Sequence, residues 1–274
     1  MPVSLDQIVA ATRRKLQETR RSLDLRQLEC AAEKHVPRGF KRAVESHSQN
    51  NVAIIAELKK ASPSRGLIRT DFHPGALARE LEASGAAALS VLTDEEFFQG
   101  SLENLRAASA STKLPCLRKD FIVDEVQLLQ ARANCADAVL LIVAALSQAE
   151  LQNLARRATD HGLDVLCEVH DHEELERASD AGCTMIGVNN RDLRTFKVDL
   201  NTAFRLADLI PRQLLRVAES GIHTATDVAH LRAAGYHAFL IGESLMAAAS
   251  PGQALNALIS ESQQVPATTL DTAP

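Results

Sequence analysis

The sequence contains no tryptophan, one tyrosine and eight phenylalanines, so aromatic residues fill only 3% of its 274 positions. Surfaces that stack nucleobases and girdles at a membrane interface both depend on aromatic side chains, and so few cannot build either. An excess of positive charge is missing too. Lys and Arg number 30 against 35 Asp and Glu, a formal net charge of −5, which lacks the basic footprint of a nucleic-acid binder. No apolar run reaches the roughly 18 residues needed to span a bilayer. The segment MPVSLDQIVAATRRKLQETRR has no apolar h-region and no small-residue cleavage site, and so does not read as a secretory signal. There is no C-x-x-C pair. Cys30, Cys116, Cys135, Cys167 and Cys183 are odd in number, and three of them sit in or beside apolar runs. They are expected to be buried, reduced thiols and neither a disulfide framework nor a zinc site. These absences predict a cytoplasmic protein with no nucleic-acid, membrane or obligate protein partner.

What is present is aliphatic. Short apolar runs of strand length occur at 51–58 (NVAIIAEL), 86–92, 114–119, 136–145 (ADAVLLIVAA), 163–170, 183–189, 214–220 and 237–243. They start about 20 to 35 residues apart, and amphipathic Ala/Leu/Arg/Glu-rich stretches lie between them. Ser101, Ser147 and Thr224 are placed to cap helices, and Gly85, Gly162, Gly182 and Gly235 to end them. Continuous apolar strands alternating with helices imply a parallel sheet covered by helices. Eight such units fit a closed (β/α)8 barrel of the TIM type, an α/β fold, better than an open sheet. The chain is therefore divided into an N-terminal helical extension (1–48) packing on the barrel, the barrel itself (49–261) and a tail (262–274) expected to be disordered. The extension either caps the barrel rim or covers the site.

In such a barrel, chemistry collects at the C-terminal ends of the strands. Polar residues break the apolar pattern there. Glu57 and Lys59 are two apart and share a face, while Lys60 points away; Lys119 shares parity with Leu117. Later strands end in Glu168, in Asn189 and Arg191, and in Glu219 and Ser220. Three carboxylates interleaved with three cations at one mouth are costly to bury unless they are paired, and they perturb one another as acids and bases require. Phosphate binding in barrels often uses the loops after the seventh and eighth strands. Here those loops carry Gly221 and Gly242, with Ser62 in the SPSRG loop after the first strand. Glu243 beside Gly242 would repel a phosphate unless its side chain turned away. Of nine histidines, His170 and His172 follow the fifth strand. Without a third ligand at a recognised spacing they are expected to be solvated loop residues, and no metal is expected.

The ordered motifs LDQIVAATRRK, VPRGFKRAV, IIAELKKASPSRG, SVLTDEEFFQGS, LRKDFIVDE, CEVHDHEEL, IGVNNRDLRTFKVDL, VAESGI and AFLIGESLM resemble the indole-3-glycerol phosphate synthase family from residue 5 to about 260. Val126, where that family often has Tyr, is a slight departure. The resemblance implies a cofactor-free carboxy-lyase acting on a small phosphorylated substrate, 1-(2-carboxyphenylamino)-1-deoxyribulose 5-phosphate. It implies Lys119 as general acid and Glu168 as base. Lys59 would hold the substrate carboxylate, with Glu57 tuning the lysines, while Asn189, Arg191, Glu219 and Ser220 would line the sugar and anthranilate side. Ser62, Gly221, Gly242 and Glu243 would form the phosphate site. Phe97 and Phe121 would wall the anthranilate ring, as two of five phenylalanines (with Phe72, Phe98 and Phe196) expected at the mouth. A phosphoribosylanthranilate isomerase or a tryptophan synthase α subunit would share the fold but not these motifs. A non-catalytic phospholigand-binding barrel would be expected to lack one or more of the acid–base groups.

Overall fold

A computed structural model describes residues 3–21, 23–193 and 195–265. The eight apolar runs form eight parallel strands: β1 (Ala53–Leu58), β2 (Ala88–Leu92), β3 (Cys116–Lys119), β4 (Ala138–Ile142), β5 (Asp164–Val169), β6 (Met185–Asn189), β7 (Leu215–Glu219) and β8 (Ala238–Ile241). Each strand pairs with its sequence neighbours, and β1 pairs with β8 to close the barrel. Helices α4 (Pro74–Ala83), α5 (Leu102–Ser109), α6 (Glu125–Ala133), α7 (Gln148–Asp160), α8 (His172–Asp180), α9 (Asn201–Ala207), α10 (Ala225–Ala233), α11 (Glu243–Ala247) and α12 (Pro251–Gln264) surround it, and α1 (Leu5–Thr19), α2 (Leu25–Glu33) and α3 (Phe40–Asn50) precede it. Ser101, Ser147 and Thr224 cap α5, α7 and α10, each accepting a backbone N–H three residues on. Gly85 and Gly235 follow α4 and α10 with φ of +95° and +96°, the left-handed turn that ends a helix.

Each strand is apolar on both faces because it serves two cores. On β1, Ile54, Ala56 and Leu58 face the helices, while Ala53 and Ile55 face the barrel interior. That interior is filled by Leu117, Leu140, Leu166, Met185, Val217 and Leu240, with alanines at 88, 138 and 238. Both ends are closed by the N-terminal extension. Fully buried Phe40 and Val44 of α3 pack on the interior cluster where β1 begins, and Ile8 of α1 joins the same cluster at the mouth. α2 lies against α6 on the flank. The extension thus packs at the end opposite the mouth and also lines the mouth.

Several expectations are corrected. α3 was not legible as a separate helix, and it runs through residue 48 to Asn50. Residues 262–264 belong to α12, with Ser262 buried and bonded to the Leu258 carbonyl. Residues 266–274 of the expected tail lie outside the described residues. Cys167 and Cys183 are joined as a disulfide; they were expected to be free thiols. Cys167 occupies an outward position on β5 and Cys183 the turn into β6, so adjacent strands bring both into the layer between barrel and helices. Of the others only Cys116 is buried, while Cys30 is exposed and Cys135 intermediate. Among the described residues, no helix is long and apolar enough to cross a membrane.

Candidate active site

Inward parity at the strand ends brings the candidate residues into one cleft. Glu57, Lys59, Lys119, Glu168, Asn189, Arg191, Glu219 and Ser220 line it, together with Ser62, Gly221, Gly242, Glu243 and Phe121. Leu5 and Ile8 of α1 complete the wall. Phe97 does not reach it. The Asp94 carboxylate accepts the backbone N–H groups of both Phe97 (2.7 Å) and Phe98 (3.2 Å), and from this tight turn it is Phe98 that enters the cleft. Its ring lies 6.1 Å from that of Phe121. Phe196 also lines the cleft, whereas Phe72 packs into the outer layer of barrel and helices, away from the mouth.

The centre is a charge network. The Lys119 ammonium lies 3.0 Å from Glu168 and 3.7 Å from Glu219. Lys59 pairs with Glu57 at 2.7 Å. Glu168 also accepts from the Asn189 amide at 3.0 Å, and the Asn189 oxygen in turn accepts the Arg191 N–H at 3.0 Å. Burial works against the charge on Lys119, but the carboxylates around it, Glu168 foremost, outweigh it and hold the ammonium above the usual lysine range. Burial likewise pushes Glu168 up, yet Lys119, His170 and Asn189 pull it below the ordinary carboxylate value. Glu219 goes the other way. Burial and the charge of Glu168 push it up to about 8, and its Oε1 has no hydrogen-bond partner. The contact at 3.7 Å is therefore that of a cation with a largely protonated acid, and the ion pair proper is Lys119 with Glu168. Two carboxyl groups held at opposite ends of their range are the arrangement of a base beside a neutral acid.

Two small residues make room for this network. A Cβ at Gly187 would lie 2.1 Å from Oε1 of Glu219, and one at Gly242 would lie 2.5 Å from Oε1 of Glu57. Gly242 thus clears space for a carboxylate beneath it. This packing role was not visible from its place in a loop.

At the rim, Ser220 and Gly221 both have positive φ, +65° and +75°, a sparsely populated conformation for serine. Asn190 pins this turn, its amide donating to the Glu219 and Ser220 carbonyls at 3.0 and 3.2 Å. Glu243 is neutralised from two sides, by Arg65 at 2.7 Å and Arg191 at 3.6 Å. Arg191 therefore stands beside the loop after β8, and Arg65, overlooked in the sequence, joins it there. His170 is also corrected. It is not solvated; it is wedged between Glu168 and Glu174 with only 15% of its side chain exposed, while His172 is exposed as expected. The two-residue step from Glu168 and the four-residue step to Glu174 were the signal that could have found it. Among the described residues, no three His, Cys, Asp or Glu side chains converge to hold a metal ion.

Fold and site define a (β/α)8 barrel with a cleft of paired carboxylates and lysines at the C-terminal ends of its strands. Solved structures at low identity share the barrel. A thiamine phosphate pyrophosphorylase from Pyrococcus furiosus aligns with a TM-score of 0.60 at 15% identity, over 79% of this chain and 98% of that one. A lactate oxidase of Pediococcus acidilactici aligns at 0.61 and 16%, over 88% and 89%. The indole-3-glycerol phosphate synthase family model matches residues 5–258. Proteins named indole-3-glycerol phosphate synthase are 56% identical in Koribacter versatilis, over 94% of this chain and all of that protein, and 50% identical in Acidithiobacillus ferrooxidans, over 93% and 97%. The chain belongs to the indole-3-glycerol phosphate synthase family.

Proposed function

We propose that Lys119 and Glu168 are the acid–base pair of a decarboxylating ring closure. As a member of its family the chain is a carboxy-lyase of tryptophan biosynthesis, converting 1-(2-carboxyphenylamino)-1-deoxyribulose 5-phosphate to indole-3-glycerol phosphate, carbon dioxide and water. The observation that carries the assignment is the Lys119–Glu168 contact of 3.0 Å, with a second carboxyl group, Glu219, 3.7 Å from the same ammonium.

In the first step the ring carbon bearing the carboxylate attacks the ketose carbonyl carbon. Lys119 donates its proton to the carbonyl oxygen, which becomes a hydroxyl, and loss of carbon dioxide restores the aromatic ring. The carboxylates of Glu168 and Glu57 keep Lys119 charged, so the donor is loaded before substrate arrives. In the second step the hydroxyl takes a proton from Lys59 and leaves as water, while a proton is lost from the neighbouring carbon to Glu168, whose depressed pKa keeps it ionised. Lys59, released from Glu57, holds the substrate carboxylate and can assist departure of water. Glu57 stays to orient the lysines, and protonated Glu219 faces the sugar with Asn189 and Ser220. Ser62 and the backbone around Gly221, Gly242 and Glu243 receive the phosphate. Arg65 and Arg191 cancel the charge of Glu243, which would otherwise repel it. Phe98 and Phe121 flank the anthranilate ring. The substrate is a small molecule, and the enzyme works in the cytoplasm with no cofactor and no nucleic-acid, membrane or obligate protein partner.

Purified protein mixed with the carboxyphenylamino-deoxyribulose phosphate should develop indole fluorescence. Lys119→Met should lower kcat by at least about 100-fold, as expected for loss of a general acid, while ligand binding largely persists. Turnover at the wild-type rate in that variant would overturn the assignment of the acid.

A further inference from the structure

The ring closure above leaves one buried titratable side chain beside the base unused. His170 lies just past the end of β5, two residues beyond Glu168 and on the same line of the strand. Its Nδ1 is 2.9 Å from Oε2 of Glu174, and the same oxygen accepts the backbone N–H of His170 at 2.8 Å. Glu174 is fixed in the first turn of α8, where its own N–H donates to Asp171 at 2.9 Å. The ring is therefore held from behind. Its other nitrogen, Nε2, is buried without a hydrogen-bond partner and stands 3.5 Å from Oε1 of Glu168. That oxygen accepts from Asn189, while Oε2 faces Lys119.

We propose that His170, oriented by Glu174, is a positioning residue for Glu168. It is an imidazolium whose Nε2 steadies one carboxylate oxygen and supports its negative charge, while Lys119 serves the other oxygen as proton donor to the substrate. The inference rests on the reading of Glu168 as base. Three carboxyl groups face the ring: Glu168 on its own strand, Glu174 from α8 and, farther off, Glu219 from β7; Lys119 is paired with the other oxygen of Glu168. Burial works against the charged ring, but the Glu174 hydrogen bond and the Glu168 charge outweigh it and raise the imidazole above its ordinary value. The arrangement separates two tasks that one lysine cannot perform together. When Lys119 gives up its proton it stops stabilising Glu168, and His170 then keeps the carboxylate ionised and aimed for the later proton removal.

The test is the pH profile of kcat/KM. His170→Asn retains an amide where Nδ1 meets Glu174 but nothing that reaches Glu168. His170→Gln restores a nitrogen near Nε2 without the charge. Both should move the acid limb upward by about 1 pH unit, because a cation next to a carboxylate depresses its pKa by roughly that much or more. KM on the plateau should change less than about twofold, since no substrate contact is removed. Glu174→Gln leaves the ring charged in the range of the acid limb but unties it from α8, and it should lower kcat with KM changed less than about twofold, which keeps the question open to measurement if the His170 variants fold poorly. An acid limb left at its wild-type position in the His170 variants, or wild-type kcat in Glu174→Gln, would overturn the inference. Glu168→Gln separates the two levels. Wild-type turnover in Glu168→Gln removes the base reading and the inference with it. An inactive Glu168→Gln beside an unmoved limb in His170→Asn removes the role of His170 alone.

Discussion

A methyl group added at Gly187 would lie 2.1 Å from Oε1 of Glu219 but 3.1 Å from Leu166, so the conflict is with the far end of a flexible side chain. At Gly242 the added atom would meet not only Oε1 of Glu57 but also its Cβ at 2.8 Å, which cannot move without the strand. The two glycines should therefore fail differently. Gly187→Ala should keep its unfolding midpoint and lose kcat by at least about tenfold, as a displaced catalytic group does. Gly242→Ala should cost about 1–3 kcal/mol in urea unfolding, the range for overpacking. Equal stability loss in both would contradict this account. At this scale the sequence was readable wherever parity could be counted. Glu57, Lys119, Glu168, Asn189 and Glu219 follow inward positions of strands, and all face the cleft. It was unreadable wherever a loop sets direction, as with Phe97 and Phe98, or where two strands must be registered, as with Glu168 opposite Gly187.

Elements were legible in proportion to how strongly they are patterned. The barrel strands are buried on both faces and read as unbroken apolar runs. α3 has the sequence FKRAVESHSQN, and two of its residues, Phe40 and Val44, are buried apolar side chains. Two are too few for a periodic signal, yet they plug the interior cluster. Phe40→Ala should therefore cost about 3–5 kcal/mol, as for other fully buried phenylalanines, measured by denaturant unfolding, while kcat of the folded fraction stays unchanged because the mouth is at the other end. α1 differs in what holds it. Besides Ile8, it is tied across the mouth by Arg13–Glu150 and Lys15–Glu95, pairs that are largely exposed. Such pairs contribute at most about 1 kcal/mol each, so α1 is the more loosely fastened of the two closures.

Over the whole molecule, the segment joining α2 to α3 is fastened to the barrel by one buried carboxylate. Asp137 has no exposed surface and accepts from His35 at 3.1 Å, from the Arg38 guanidinium and backbone N–H, and from the Cys116 N–H at 2.7 Å. The hydrogen bond to Asp137 raises the His35 pKa from 6.5 to about 9, with Cys135 adding to the effect. A raised cation stabilises the fold fully below the unfolded value and loses that contribution as pH climbs through the folded one. Urea midpoints should therefore fall between pH 6.5 and about 9 through this group, and His35→Gln should flatten that part of the curve. A wild-type curve already as flat as the variant's would contradict the assignment.

The closure of both barrel ends by residues 5–50 has a consequence for how the molecule is made. These residues leave the ribosome before any strand of the barrel exists, yet the surfaces they cover are assembled from strands as distant as β8. During synthesis α2 can dock once α6 exists, but Phe40 and Val44 lack a complete interior cluster until Ala238–Ile241 pairs with β1 and closes the ring. A segment made before the barrel is thus fully docked only after it, and rearrangements that delay β8 should leave Phe40 and Val44 exposed to chaperones for longer.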